Sequence, residues 1–376
     1  MTVWEIVFWL CVALLVYAQA GYPLLLAALA RVKRARPAAP AADELPTVSL
    51  IVAAHDEGAV IARKVANALA LDYPRERLEV VVASDGSTDG TVLEATRAGA
   101  HHVLELERGG KIRAQDAAVR RSRADVVAFS DANSSWEPGA LRALVGAFAD
   151  QQVGYACGQV RFVNADDGTN QEGLYWRYEM ALRCLESRLL SVTGGNGAIY
   201  ATRREAYIEV DPIMGHDLSF PFNMVKRGWR AVYVPQARAS EKMVPSIEGE
   251  FARKRRMMSH AWPIVLRGGL LSPRGYPPLY ALMIVSHRVL RYAAPFLHVG
   301  ALVASFALGA SHPFYAVALA LQLALILAAM LGRIVSLRPL LVIRYYVLTT
   351  ASVAAGLWDW LRHGTPAGWE AAEGTR

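Results

Sequence analysis

The sequence predicts an α/β domain built on a mostly parallel sheet and flanked by N- and C-terminal transmembrane helices. Three observations lead there. Short, nearly all-apolar runs rich in β-branched residues alternate with longer helical patterns between residues 46 and 265. Long stretches free of charge lie at residues 8–30 and again over the last hundred or so. The composition, 54% hydrophobic and 19% charged with a mean hydropathy of +0.22, is too apolar for a disordered chain. Because the charge is concentrated in the middle of the chain, a purely transmembrane protein is excluded as well.

The run Phe8 to Ala30 carries no charge. At ~1.5 Å per residue it is long enough to cross the ~30 Å hydrocarbon core. A cleaved signal peptide fits poorly, since Glu5 precedes the run and the basic residues Arg31, Lys33, Arg34 and Arg36 follow it. Those residues place the following domain on the cytoplasmic side, and the Pro/Ala-rich linker Pro37 to Pro46 separates anchor from domain. Near the other end, Tyr292 to Ala310 and Pro313 to Leu331 form an apolar hairpin turned at Ser311 and His312. Arg288 and Arg291 before it, with Arg333 and Arg338 after it, put both its ends on the cytoplasmic side. A third run, Pro339 to Leu361, is interrupted by Arg344 and either spans or lies along the interface. Leu266 to Ser286 is broken by Gly268, Gly269, Pro273, Pro277 and Pro278, which suits an interfacial segment.

The expected partition follows: an anchor with its basic flank at residues 1–36, a cytoplasmic domain at 46–265, an interfacial segment at 266–290, a membrane region at 291–361 and a tail at 362–376. A net charge of +7 with a pI near 9.4 would also suit a nucleic-acid binder. The Lys and Arg residues instead cluster at membrane edges, so no nucleic-acid partner is expected. Cys11, Cys157 and Cys184 lie far apart without metal or disulfide spacing and read as buried small apolar residues.

Within the central domain, Thr47–Ala54, Leu78–Ser84 and Val126–Ser130 read as strands buried on both faces. Helical patterns at Glu57–Leu71, Thr88–Ala100 and Lys111–Ser122 separate or follow them. Ligands of such sheets bind beyond the carboxyl ends of the strands. Polar clusters stand at each of those ends: His55-Asp56-Glu57, the turn Asp85 to Thr91, and Asp131-Ala132-Asn133. Asp131 and Asn133, one residue apart, offer oxygens to a hard cation such as Mg2+ or Mn2+, or simply close an Asx turn. Gly109-Gly110-Lys111 opens a helix where N–H groups and the lysine face a phosphate, yet it lacks P-loop spacing, and no dinucleotide fingerprint occurs. Gly194-Gly195-Asn196-Gly197 permits close backbone approach to a substrate. Asp217 either caps a helix or protrudes as a general base. Arg253 to Arg256 contacts lipid headgroups or a diphosphate.

In order and spacing these segments resemble glycosyltransferase family 2, the inverting enzymes with a GT-A fold. PTVSLIVAAHDE, VVVASDGSTDGT, GGKIRAQDAAVRRSRADVVAFSDANSSW, GHDLSFPFNMVKRGWRAVYVP and EGEFARKRRM carry the likeness, from about Pro46 to Met258. The resemblance implies a GT-A domain that takes a nucleotide-diphospho-sugar donor. Asp85, Glu57 and Lys111 would contact the donor, Asp131 and Asn133 would hold Mg2+ or Mn2+ on its diphosphate, and Arg253 and Arg256 would face the leaving group. Asp217 would be the catalytic base, with Gly197 and His216 near the acceptor, a lipid-linked or envelope glycan beside membrane lipids. The sequence departs from the family pattern at Asp56, Ser84, Asn133, His216, Arg253 and Met257. Of these, Asn133 removes a charge from the metal shell, and Arg253 with Met257 alters the motif of processive members. Single transfer is therefore preferred to a processive polysaccharide synthase, and either to a non-catalytic membrane scaffold. The resemblance and the apolar runs together imply an integral protein of a bacterial-type plasma membrane.

Overall fold

The computed structural model describes residues 1–33, 44–163, 172–242, 244 and 246–368. Arg34, Arg36, most of the Pro/Ala linker and the end of the tail lie outside the described residues. The central domain holds eight strands: β1 (Val48–Ala54), β2 (Leu78–Asp85), β3 (His102–Leu106), β4 (Val126–Asp131), β5 (Ser135–Trp136), β6 (Val153–Val163), β7 (Ile199–Arg203) and β8 (Arg230–Lys242). They form one sheet in the order β3-β2-β1-β4-β7-β6-β8-β5. The β3-β2-β1-β4 half is parallel, β7 runs antiparallel to both its neighbours, and β6 and β8 are parallel. Register aligns Ala54 with Ser84 and Ala53 with Asp131, so the polar clusters after β1, β2 and β4 meet at one edge.

Both faces of the sheet are covered, which is why its strands alternate apolar with apolar. Leu50 and Ile51 point to opposite faces and are both fully buried. Around the sheet pack α2 (Gly58–Leu69), α3 (Thr91–Arg97), α4 (Lys111–Arg121), α5 (Ala140–Gly146), α6 (Glu172–Leu189) and α7 (His216–Lys226). The chain then continues into α8 (Ile247–Leu266).

Among the described residues, four helices are long and apolar enough to cross a membrane: α1 (Val3–Val32), α9 (Pro278–Leu308), α10 (Pro313–Leu331) and α11 (Arg338–His363). Helix α9 begins about a turn past the last glycine and well before Tyr292, because Pro278 occupies its first turn, where a missing N–H costs nothing. The segment 266–290, expected to be interfacial, therefore divides into turns before Pro277 and the start of α9. Arg288 and Arg291, read as flanks, lie inside α9. Arg291 pairs with Glu179 and Arg288 Nε bonds Thr193, so both arginines tie α9 to the central domain.

Helices α1 and α9 each contain a π-helical turn, at Tyr17–Gly21 and Ile284–Val289. The two turns touch through a hydrogen bond of 2.8 Å between the Tyr17 and Ser286 hydroxyls. An apolar cluster unites Tyr22 and Leu26 of α1, Leu182 and Leu189 of α6, Phe222 of α7, Trp262 of α8, Tyr280 and Ile284 of α9, and Trp360 of α11. Helix α11 lies along α8 in the same direction: Arg344 pairs with Glu248 near its start, and Asp359 with Arg255 near its end. Beyond it, Thr365 Oγ1 donates to Ser259 O at 2.7 Å, and the carbonyl of Ala367 stands against Gly110.

Candidate active site

The crevice beyond β1, β2 and β4 gathers the residues that the sequence singled out, with unequal roles. Asp131, at the end of β4, forms an ion pair with Lys111, the first residue of α4. Burial alone would lower the Lys111 pKa, but Asp131 more than offsets this and holds the ammonium above its ordinary value. Asn133 follows in the turn, half-buried. Gly197, expected near the acceptor, borders the same pair: a Cβ there would stand 3.5 Å from Lys111 Nζ.

Asp85 is almost fully buried, and its carboxylate accepts the N–H groups of Gly109 at 2.6 Å and Gly110 at 3.0 Å. It therefore holds the loop in front of α4, where Gly110 adopts a φ of 95°. Glu57 is buried at the start of α2, its N–H bound to Thr91 Oγ1 at 2.8 Å. Neighbouring Asp56 has a φ of 50° and accepts the Thr88 N–H at 2.8 Å, which lowers its carboxyl pKa. Asp and Asn tolerate this left-handed conformation better than other side chains, so Asp at this point keeps the backbone the turn requires.

Asp217 is the second residue of α7 and half-buried. Its carbonyl accepts the Gly195 N–H at 2.7 Å, tying α7 to the glycine loop. His216, expected near the acceptor, is instead turned into the core. Its ring stacks on Phe220 at 3.9 Å between centroids, its Nδ1 lies 2.8 Å from the Tyr200 hydroxyl, and burial beside Lys111 holds its pKa well below the ordinary value. It positions the helix that carries Asp217. Arg253 is bound by Glu250 at 2.7 and 2.8 Å and lies over the Phe162 ring, while Arg256 is exposed on α8.

Sequence reading missed Lys64 and Glu241. Lys64 is buried on α2, its ammonium 5.2 Å above the Trp136 ring and without a hydrogen-bond partner among the described residues. Burial pushes its pKa down to about 7, against the pull of Asp131 and Glu241. Glu241 lies on β8, with a buried Oε1 that has no partner among the described residues. Burial, then the charge of Asp131, raises its pKa to about 7. The crevice thus gathers Asp131, Asp217 and Glu241 with Lys64, Lys111 and Arg253, a charge balance suited to a polyanionic ligand that brings its own cation.

The sequence profile of a family described as "Glycosyltransferase like family 2" matches residues 46–259. The chain belongs to this family. It is a glycosyltransferase of GT-A fold. A beta-monoglucosyldiacylglycerol synthase of Synechocystis is 32% identical over 53% of this chain and 45% of its own length. An N-acetylglucosaminyltransferase of Rhizobium sp. strain N33 is 27% identical over 73% of this chain and 67% of its own. The chain spans about half the length of several such relatives. A mannosyltransferase from Pyrobaculum calidifontis, solved with GDP-Man and Mn2+, superposes with a TM-score of 0.73 at 25% identity, covering 95% of this chain and 99% of that one. Among the described residues no group of three His, Cys, Asp or Glu side chains is arranged to hold a metal ion. The donor set of Asp131 and Asn133 nonetheless fits Mg2+ or Mn2+, which take oxygen ligands and complete their shell from water and substrate phosphates.

Proposed function

We propose that this glycosyltransferase moves a sugar, with inversion, from a nucleotide-diphospho-sugar to a hydroxyl of a lipid-linked or envelope-glycan acceptor at the cytoplasmic membrane face. The observation that carries the reading is the position of Asp217. Its carbonyl holds the Gly195 N–H at 2.7 Å, and the same glycine loop continues to Gly197 beside the Lys111–Asp131 pair, so a carboxylate stands at the edge of the crevice that would take the donor.

Asp131 and Asn133 would hold the divalent cation, which supplies charge neutralisation to the diphosphate. Lys111, paired with Asp131 in the free protein, turns to the phosphates as the donor fills the site, and Arg253 and Arg256 approach the leaving group from α8. Asp217 accepts the proton of the acceptor hydroxyl as its oxygen bonds to the anomeric carbon and the bond to the diphosphate breaks. Because the base and the leaving group lie on opposite sides of the sugar, the configuration inverts. Single transfer is favoured over processive synthesis, because Met257 stands where processive members carry Trp.

The test is a donor screen by thermal shift on detergent-solubilised protein, with Mg2+ or Mn2+, followed by a transfer assay. One donor is expected to stabilise the protein in a metal-dependent manner. Asp217→Asn should keep that shift while turnover falls ~10²- to 10⁴-fold, the usual contribution of a general base. Turnover close to wild type in Asp217→Asn defeats the base assignment, and long polymer from a single donor defeats single transfer.

A further inference from the structure

The glycine loop that meets Asp217 is fixed at its start by the membrane helices. Thr193, fully buried, lies just before that loop. Its N–H donates to Glu186 Oε2 of α6 at 3.0 Å, and its hydroxyl donates to the same oxygen at 3.1 Å while accepting from Arg288 Nε of α9 at 3.0 Å. His287, also of α9, joins the group: its Nδ1 stands 2.6 Å from Glu186 Oε1 and 3.1 Å from the Thr193 hydroxyl. Helix α9 holds the preceding residue as well, since the Tyr280 hydroxyl donates to Val192 O at 2.9 Å. Glu186 in turn accepts the Tyr22 hydroxyl of α1 at 2.6 Å. Both oxygens of Glu186 and both the amide and the hydroxyl of Thr193 are thus bonded, and a buried network satisfied in this way fixes its members in one arrangement.

Two residues further on, that position is handed to the proposed base. The Gly195 N–H donates to the Asp217 carbonyl at 2.7 Å. Between the two contacts the loop has no slack: a Cβ on Gly194 would collide with the Arg288 guanidinium, and one on Gly195 with the Tyr155 hydroxyl. The Asp217 carboxylate is aimed from the same helix start, where a Cβ on Gly215 would come within 2.6 Å of its Oδ1. The other end of the loop is anchored separately. Asn196 Nδ2 donates to Gly158 O at 2.6 Å and Asn196 Oδ1 accepts the Ile199 N–H at 2.9 Å, on either side of the Gly197 that borders Lys111. The loop therefore has two moorings, one toward the base and one toward the donor.

We propose that Thr193 is a positioning residue for sugar transfer: it takes its seat from α1 and α9 and, through the Gly195 N–H, sets where the Asp217 carboxylate stands. This rests on the transferase reading above, with Asp217 as its base. Thr193 is shut inside the protein, so it acts through Asp217 and not on a substrate. The chemical step then depends on the seating of the membrane helices, while donor binding does not.

Turnover is measured on the full chain in detergent, as nucleoside diphosphate released from the UDP- or GDP-sugar that gives the largest thermal shift, with a bacterial total-lipid extract as acceptor. Thr193→Val keeps the shape and removes the hydroxyl. A misplacement of about 1 Å costs about a hundredfold in rate, so kcat should fall about ten- to a hundredfold, with donor KM within about twofold of wild type. Thr193→Ser, which restores the hydroxyl, should return kcat to within about threefold. Because the two residues act as a unit, Thr193→Val should cost less than about twofold in the Asp217→Asn background. An equal cost in both backgrounds, or a loss of donor affinity that matches the fall in kcat, makes Thr193 merely structural and overturns the proposal. Tyr280→Phe is a milder cut at the same joint, should lower kcat about threefold, and carries the test if Thr193→Val does not fold. Amide hydrogen exchange gives a readout that needs no turnover: the peptide holding Gly195 should exchange faster in Thr193→Val than in Thr193→Ser, with the peptide holding Lys111 unchanged. Equal exchange in the two variants overturns the coupling. A wild type that releases no nucleoside diphosphate overturns the transferase reading instead, and exchange then decides the coupling alone.

Discussion

Asp131 carries more than one duty at the residue scale, because the same carboxylate that is offered to a cation neutralises Lys111 and lowers the cost of burying Lys64. Asp131→Ala removes the proposed metal ligand and leaves Lys64 and Lys111 with only Glu241 and Asp217 to balance them. The expected outcome is loss of the metal-dependent part of the donor-induced thermal shift, with donor KM raised at least about tenfold, since a lost charged contact is worth 1.4 kcal/mol or more. Identical metal dependence in wild type and variant would count against Asp131 as ligand. Both missed residues had left a trace in the sequence. Lys64 falls on the apolar stripe Ile61, Val65, Ala68 of α2, where a lysine has no solvent to reach. Glu241 continues the inward alternation Ala237, Ala239 of β8. Each is a charge on a buried face, the pattern that most needs a functional explanation. His216 erred the other way: adjacency to Asp217 suggested the acceptor, but successive helix positions point about 100° apart, and the ring faces the aromatic core.

Among the elements, the parallel strands and their polar ends were legible because strands buried on both faces write continuous apolar runs, and the register of β1, β2 and β4 then follows from packing. The start of α9 was not, since Pro277-Pro278 reads as a break until the domain that contacts Arg288 and Arg291 is in place. The same joint makes a stability prediction. Glu186 of α6 is fully buried and binds elements from both ends of the chain, Tyr22 of α1 and His287 of α9. Burial pushes its carboxyl pKa up, but His287 and Arg288 more than offset this, and the net pKa is lowered. A lowered carboxyl pKa adds stability that is present above the unfolded value, near 4.3, and is lost as pH falls below it. Glu186→Ala should destabilise by about 3–5 kcal/mol, because it strands the partners it held. Glu186→Gln should keep more of the fold and flatten the acid limb of Tm against pH. An acid limb in Glu186→Gln as steep as in the wild type would assign that limb to other carboxylates.

For the whole molecule, the decisive geometry is that both ends of α11 rest on the catalytic domain. Arg344 meets Glu248 at one end, and Asp359, Thr365 and Ala367 meet Arg255, Ser259 and Gly110 at the other. A helix that crossed the bilayer would carry its far end ~30 Å away from that domain. Polar ties along the way, Lys254 Nζ to the Tyr345 hydroxyl at 2.5 Å and Trp262 Nε1 to Val353 O at 2.9 Å, keep it against α8 throughout. Of the two readings left open by Arg344, surface attachment is therefore expected, with α1, α9 and α10 as the crossing helices. Single cysteines read this out in sealed inside-out vesicles with an impermeant thiol reagent, after replacement of Cys11, Cys157 and Cys184. Arg362→Cys, at the end of α11, should label together with Glu76→Cys on the catalytic domain, while Ser311→Cys, in the α9–α10 turn, should be protected until detergent is added. Labelling of Arg362→Cys in step with Ser311→Cys would make α11 a fourth span and detach the tail from the donor loop it meets at Gly110. In the expected arrangement, the chain segment that leaves the membrane surface ends on the loop held by Asp85, so donor binding and membrane attachment share one boundary.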